Sequence, residues 1–504
     1  MPRRRAYSGS CIYESGYGLW RGCANTSNSL PNTHVTLTVL IRSQDSTTSL
    51  GVLRYKARLL LPRLLPVTRQ TVSTMDYTRF LSDVSKGRQA TILRDLFKLQ
   101  LQDEEDWIYL IGGLPNAAYF PFTSGTLKMA DGDTLEITPP LMVDALQYGN
   151  TIGYSPLLKQ LCSLTQRLHD PPCWQHRDLM LTTGSQDGLD KAFSMLVNPG
   201  DFVLVEEPCY SSVISSLTPY QVRFLPVETD AEGMKPEALR NILSRWNPQE
   251  VRGATKDFPK FLYTNPTGAN PSGGVLSETR RREIYGIACE YNFLILEDDP
   301  YYLQVYLEQP PPSFLKIDTE CRVLRFDSFS KTLGGGLRIG YAIGAKALID
   351  KMVLHAQVSS QCVSLMSQVI VSELLRKWGE DGFLKHSHNI TLFYKQQRDA
   401  IVASAEKYLK GLCEWAVPAG GLFLWIKVTC LKDTTGMLLE RAKKRKLVLV
   451  PGNSFMTDPS KPCPFIRVSF SFNTIHLLDE AMKRLADLIQ DEIEFNASTG
   501  KSSS

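Results

Sequence analysis

Phe293-Leu294-Ile295-Leu296-Glu297-Asp298-Asp299-Pro300-Tyr301-Tyr302 is an apolar run that stops abruptly in acids, a proline and two tyrosines. Consecutive large apolar residues without polar alternation fit a strand buried on both faces. Similar runs lie at Phe202-Val203-Leu204-Val205, Phe261-Leu262-Tyr263 and Val323-Leu324-Arg325-Phe326. Helical segments separate several of them, such as Arg281 to Tyr291, with Ile284, Ile287 and Ala288 on one face. Strands alternating with helices predict a mostly parallel sheet flanked by helices, an α/β class, with ligands outside the carboxyl ends of the strands.

Working outward, the chain turns helical after about 346, through Glu373 and Trp378 and then to Tyr408. Candidate strands Leu422 to Ile426 and Phe465 to Phe470 follow, then a helix holding Leu477, Ala481, Leu485 and Ile489. This predicts a smaller α+β domain over 346–493, with 151–345 as the large domain. Residues 75–150 would form an N-terminal arm and part of the small domain, opening with a helix from Asp76. Residues 1–74 show no clean period and read as a leader, and 494–504 as a disordered tail.

Net charge is only +4 over 504 residues, which gives no general reason to expect nucleic acid. The leader is different: it is basic, rich in Ser and poor in acids, the composition of a mitochondrial transit segment. If Met75 is the start, a cytoplasmic location is the alternative. An odd number of cysteines without CxxC pairs argues against a disulfide framework. Histidines are scattered, so no metal site is expected, and no apolar stretch is long enough to cross a membrane.

Two adjacent acids at the end of a buried strand are costly without partners. A carboxylate there can hold a pyridine nitrogen protonated and make the ring an electron sink; Asp299, with Tyr302 three residues on, suits that role. Ser328-Phe329-Ser330-Lys331 follows the next strand, with Arg338 beyond. Lysine forms imines with aldehydes once desolvation or nearby cations free its amine, and hydroxyls and a guanidinium beside it suit a phosphate. Thr182-Thr183-Gly184-Ser185-Gln186 reads as a strand-to-helix turn able to cradle phosphate. Glu206-Glu207-Pro208-Cys209-Tyr210 places Tyr210 where an aromatic could stack on a planar ring.

Together these stretches resemble the fold-type I pyridoxal-phosphate-dependent aminotransferases, from Met75 to about residue 493. Ile111-Gly112-Gly113-Leu114-Pro115, the Gly184-Ser185-Gln186 turn, Asn270-Pro271, Glu297 to Tyr302, Ser328 to Lys331, Gly336 to Gly340 and Pro464 to Phe470 fall in the family's order. The resemblance implies pyridoxal 5'-phosphate as cofactor, with Lys331 carrying the imine and shuttling the proton. Asp299 would pair with the ring nitrogen, while Asn270 and Tyr302 would meet the 3′-oxygen. Tyr210 would stack, and Ser185, Gln186, Ser328, Ser330 and Arg338 would hold the phosphate. Tyr148 would reach the phosphate of a neighbouring subunit, implying a homodimer. Arg467 would clamp the substrate α-carboxylate, aided by Gly113 and Asn270, and Arg94 would meet the substrate's far end.

This chain carries Asn265-Pro266-Thr267-Gly268 and then Asn270-Pro271-Ser272-Gly273, where the family usually has one such motif. Asn270 fits the spacing to Ser277 and the helix start. Gly334-Gly335-Gly336 is also unusually rich in glycine.

The reaction that the resemblance implies moves the amino group of 2-aminoadipate or kynurenine to 2-oxoglutarate, giving glutamate and a 2-oxo acid; the kynurenine product would cyclise to kynurenate. A broad aromatic or methionine aminotransferase with β-lyase side activity is one alternative. Another is a regulator joining such a domain to a DNA-binding leader, although the leader shows no pair of helices with a turn.

Overall fold

The computed structural model describes residues 75–90, 110, 112–254 and 256–498, together with four short strands within 1–74 for which only the backbone is described. The chain divides into two compact units, Met1–Ser73 and Thr74–Ser504. In the first, Ile12–Glu14 pairs with Leu19–Arg21, and Leu37–Val39 with Leu53–Tyr55.

The second unit is built on an eight-stranded sheet. Its strands are β1 (Arg177–Thr182), β2 (Phe202–Glu207), β3 (Arg223–Asp230), β4 (Gly233–Met234), β5 (Phe261–Thr264), β6 (Leu294–Asp298), β7 (Val323–Ser328) and β8 (Gly340–Ala345). Their order is β4-β3-β2-β5-β6-β7-β8-β1. The pairings among β3, β2, β5, β6 and β7 are all parallel. β8 runs antiparallel to both β7 and β1, and β4 is an antiparallel edge. The mostly parallel sheet is therefore as expected.

Alternation along β6 explains the uninterrupted apolar run. Ile295 faces a core layer with α1 (Ser155–His169) and α3 (Glu278–Tyr291), through Leu161, Ile284 and Ile287. Leu294 and Leu296 face the opposite layer with α2 (Ser185–Leu196) and α4 (Lys346–Ser359), through Phe193 and Met352. Each of these residues is essentially solvent-free, and each such side chain contributes about 1.5–3 kcal/mol relative to exposure.

A second sheet, ordered β9 (Cys413–Trp415), β10 (Phe423–Val428), β12 (Phe465–Ser469) and β11 (Val450–Pro451), is antiparallel throughout. It buries Leu424, Ile426, Ile466 and Val468 against Leu478, Met482 and Leu485 of α6 (Ile475–Ser498). α5 (Leu365–Tyr408) also packs here through Ile401 and Ala405, and breaks at Gly379, where φ is +64°. The helix expected from Asp76 is reduced to a 3-10 turn at Thr78–Phe80 and a short helix at Asp83–Gly87. Docking wins there over helix propensity: Phe80 is fully buried, and Arg79 donates to the carbonyls of Ala254 and Asn292. Among the described residues no helix is long and apolar enough to cross a membrane.

Candidate active site

Six strands of the large sheet that run in one direction deliver their carboxyl ends to one edge, where loops leave room for a ligand. β1 ends at Thr182 and turns through Gly184 directly into α2. No side chain caps the first turn of α2, so its leading N–H groups remain free for an anion. Gly184 has φ +78°, and a Cβ there would collide with the Arg338 guanidinium. Arg338 Nη2 donates to Thr183 O at 2.7 Å and Nη1 to Ser330 Oγ at 3.4 Å. Ser328 Oγ donates to Ser330 Oγ at 3.0 Å. Gln186 Nε2 donates to Ser216, while its Oε1 is buried without a hydrogen-bond partner. Helix start, hydroxyls and guanidinium thus gather into one cup.

Lys331 closes the 3-10 turn that follows β7. Its amine is held below the ordinary lysine range by burial first, then by the Arg338 and Arg467 charges, with Asp298 pulling the other way. More of the amine is neutral as a result, the form that attacks a carbonyl carbon. Lys331 Nζ stands 5.9 Å from the centroid of the Tyr301 ring.

Arg467 projects from β12. Its Nη1 donates to Asn270 Oδ1 at 2.9 Å, and its guanidinium lies 4.4 Å from the Phe423 ring centroid and 4.9 Å from that of Phe455. Its Nε is buried without a hydrogen-bond partner, so the fork is oriented but not saturated. Asn265, from the first of the two motifs, is used internally: its Oδ1 accepts from Asn270 N at 2.7 Å and its Nδ2 donates to Asp298 O at 2.6 Å.

The structure corrects the placement of Asp299 and Tyr302. Neighbours on a strand point to opposite faces, and Asp299 falls on the face away from the lysine. Its Oδ2 accepts from Arg325 Nη1 at 2.8 Å, inside a cluster in which the solvent-free Arg325 also meets the solvent-free Glu297 at 3.1 Å and the partly exposed Asp327 at 2.7 Å. Tyr302 lies with them, its ring 4.9 Å from the Arg325 guanidinium and 4.6 Å from the buried His169 ring. Asp298 and Tyr301 occupy the lysine's side instead. Asp298 Oδ2 accepts from the Tyr263 hydroxyl at 2.8 Å, and its Oδ1 is buried without a partner. Burial pushes the Asp298 carboxyl up to about 7; the Tyr263 bond lowers it, while the Asp299 and Asp327 charges add to the rise. Tyr301 is held protonated by burial and by the Asp298 charge.

Tyr210 precedes a short helix, Ser211–Leu217, and acts electrostatically on both Tyr301 and Arg467. Tyr148 is 62% exposed. Gly113 stands in the open, with nothing within 4 Å of where a Cβ would be. Arg94 lies outside the described residues. The sequence reading passed over Asp298, Tyr301, Tyr263 and the two phenylalanines beside Arg467; strand period parts Asp298 from Asp299 onto opposite faces without saying which one meets the lysine. An amine-bearing lysine, an anion cup and a buried carboxylate oxygen without a partner fit a phosphorylated pyridine aldehyde.

The chain belongs to the aminotransferase class I and II family, whose model matches residues 141–485. It is a pyridoxal-phosphate-dependent enzyme of that family. It is 44% identical over 423 residues to the rat mitochondrial kynurenine/alpha-aminoadipate aminotransferase, covering 83% of this chain and 100% of the relative. To the bovine mitochondrial protein of the same name it is 43% identical over 425 residues, again covering 83% and 100%. Among solved structures, the Candida albicans aminotransferase Aro8 matches with a TM-score of 0.75 at 30% identity, over 83% of this chain and 99% of that one. A Pyrococcus horikoshii kynurenine aminotransferase, solved in complex with PMP, with KYN as substrate and KYA as product, matches with a TM-score of 0.66 at 33% identity, over 83% and 98%.

Proposed function

We propose that this aminotransferase moves the amino group of 2-aminoadipate or kynurenine to 2-oxoglutarate, leaving the 2-oxo acid (kynurenate after cyclisation) and glutamate. The observation that carries the donor class is the 44% identity spanning the whole of the rat kynurenine/alpha-aminoadipate aminotransferase.

Bound pyridoxal phosphate supplies the electron sink that lets the substrate's Cα–H ionise. Lys331 would hold the cofactor through its Nζ, and its amine is placed to move the proton at the substrate's Cα. Asp298, in place of Asp299, would meet the ring nitrogen through its unpartnered Oδ1. Tyr301, in place of Tyr302, would join Asn270 at the 3′-oxygen, and Tyr210 would cover the ring face. Ser185, Gln186, Ser328, Ser330 and Arg338 hold the phosphate with the α2 N–H groups. Arg467 grips the α-carboxylate in a bidentate fork, a geometry lysine does not reproduce, with Asn270 fixing one side of the fork and Gly113 adding a backbone contact. Arg94 meets the substrate's distal end.

The working form is a homodimer in which Tyr148 reaches the partner's phosphate. Support comes from its exposure and from the exposed Leu110, Tyr119 and Phe122 on the same N-terminal stretch, surface that a monomer rarely leaves open. The mitochondrial relatives support the mitochondrion as its compartment. A panel of amino acids with 2-oxoglutarate, read as glutamate formed, tests the donor class. Turnover of 2-aminoadipate and kynurenine above the rest is expected; preference for methionine or phenylalanine, with both proposed donors poor, overturns it.

A further inference from the structure

Tyr263 is among the largest solvent-free side chains in the molecule. A buried phenol is costly unless its hydroxyl is bonded, and this hydroxyl is spent on a single partner, Asp298 Oδ2, at 2.8 Å. The register explains the meeting. Tyr263 on β5 sits opposite Leu296 on β6, and period two places its side chain on the face shared by Leu296 and Asp298. Asn265 Nδ2 meanwhile holds the Asp298 carbonyl at 2.6 Å. The acid is therefore pinned through its backbone and through one carboxylate oxygen, and Oδ1 alone is left buried without a partner.

We infer that Tyr263 is the positioning residue for the cofactor's ring nitrogen: by occupying Asp298 Oδ2 it fixes the carboxylate plane and reserves Oδ1 for that nitrogen. The inference rests on the assignment of Asp298 made above. The surrounding charges give the bond a second effect. Asp299 and Asp327 favour the protonated acid, whereas Arg325 and the Tyr263 hydroxyl favour the carboxylate, and Lys331 feels Asp298 across the site. Burial, Asp298, Cys209 and Glu206 all oppose ionisation of Tyr263, so it remains a donor. Losing that donor shifts the proton shared between acid and ring nitrogen toward the acid.

The test uses the full-length holoenzyme reconstituted with pyridoxal phosphate labelled with nitrogen-15 in the ring. In Tyr263→Phe, the ring-nitrogen resonance should move toward its unprotonated position and the pH midpoint of the visible band should shift. The cofactor's dissociation constant, measured by fluorescence titration of the apoprotein, should rise about tenfold or more, as loss of a hydrogen bond to a charged group implies. Replacing Tyr263 with 3-fluorotyrosine, a stronger donor, should move the resonance the other way, and it decides the matter if the phenylalanine variant does not fold. Asp298→Asn separates the two claims. If Asp298→Asn moves the resonance and neither Tyr263 variant does, the role of Tyr263 is overturned while Asp298 stands. If Asp298→Asn leaves the resonance in place, the assignment of Asp298 fails and takes this inference with it.

Discussion

Asp298→Asn and Asp299→Asn should separate chemistry from scaffold at adjacent positions. Asp299 bonds Arg325 at 2.8 Å with both side chains solvent-free. Removing one partner of a buried ion pair costs about 3–5 kcal/mol. Glu297 and Asp327 remain on Arg325 at 3.1 and 2.7 Å, and the new amide oxygen still accepts, so the lower end, about 3 kcal/mol of stability, is expected with cofactor binding retained. Asp298 is the reverse case. Its carboxyl rises from 3.8 to about 7, so the apoprotein favours its protonated form. That preference contributes stability fully below pH 3.8 and loses it as pH rises through about 7; at about 1.4 kcal/mol per unit the contribution is roughly 4 kcal/mol. Asp298→Asn removes this pH dependence and, above pH 7, leaves the apoprotein as stable as the parent or more so. It should nonetheless lose about 10²–10³ in kcat, the scale of removing one preorganised electrostatic partner. Urea titrations of the apoproteins at several pH values, with turnover of the holoenzymes, read both effects. A stable Asp299→Asn with lost turnover, beside an active Asp298→Asn, would refute the reasoning.

Arg467→Lys keeps the charge but gives up the fork and the broad face against Phe423 and Phe455; with charged hydrogen bonds at about 1.5–3 kcal/mol each, kcat/KM for amino donors should fall about 10- to 100-fold, and an unchanged value in steady-state kinetics contradicts the clamp. Gly184→Ala places a Cβ against Arg338 at φ +78°, so phosphate and pyridoxal phosphate affinity should both drop by fluorescence titration; retained affinity contradicts the cup. Tyr148→Phe should weaken cofactor retention on dialysis without changing the donor preference, and identical retention contradicts its reach to the partner's phosphate.

The large sheet was legible because strands covered on both faces need unbroken apolar runs, and Phe202–Val205 and Phe293–Leu296 have them. The same property hid the choice between Asp298 and Asp299. With Leu294 and Leu296 as apolar as Ile295, period two says that the acids part but not which one meets Lys331. A clue was present in Arg325: an arginine inside a buried strand demands acids on its own face, and Asp299 is one of them. Spacing to the helix start at Ser277 pointed to Asn270 rather than Asn265, and the structure brings Asn270 to Arg467. The antiparallel β8 was missed because Gly340-Tyr341-Ala342-Ile343-Gly344-Ala345 is too glycine-rich to read as a strand. Phe423 and Phe455 became partners of Arg467 only through contacts between distant segments, which no local pattern encodes.

Lys331 remains the residue on which everything else depends, and the absorbance of Lys331→Ala beside the parent protein tests it most directly. The parent should carry the visible band of lysine-bound cofactor and transaminate with 2-oxoglutarate. Lys331→Ala should fold and retain the cofactor noncovalently through the phosphate cup, yet lose that band and all transamination. A variant with the parent's spectrum and measurable turnover would contradict the assignment.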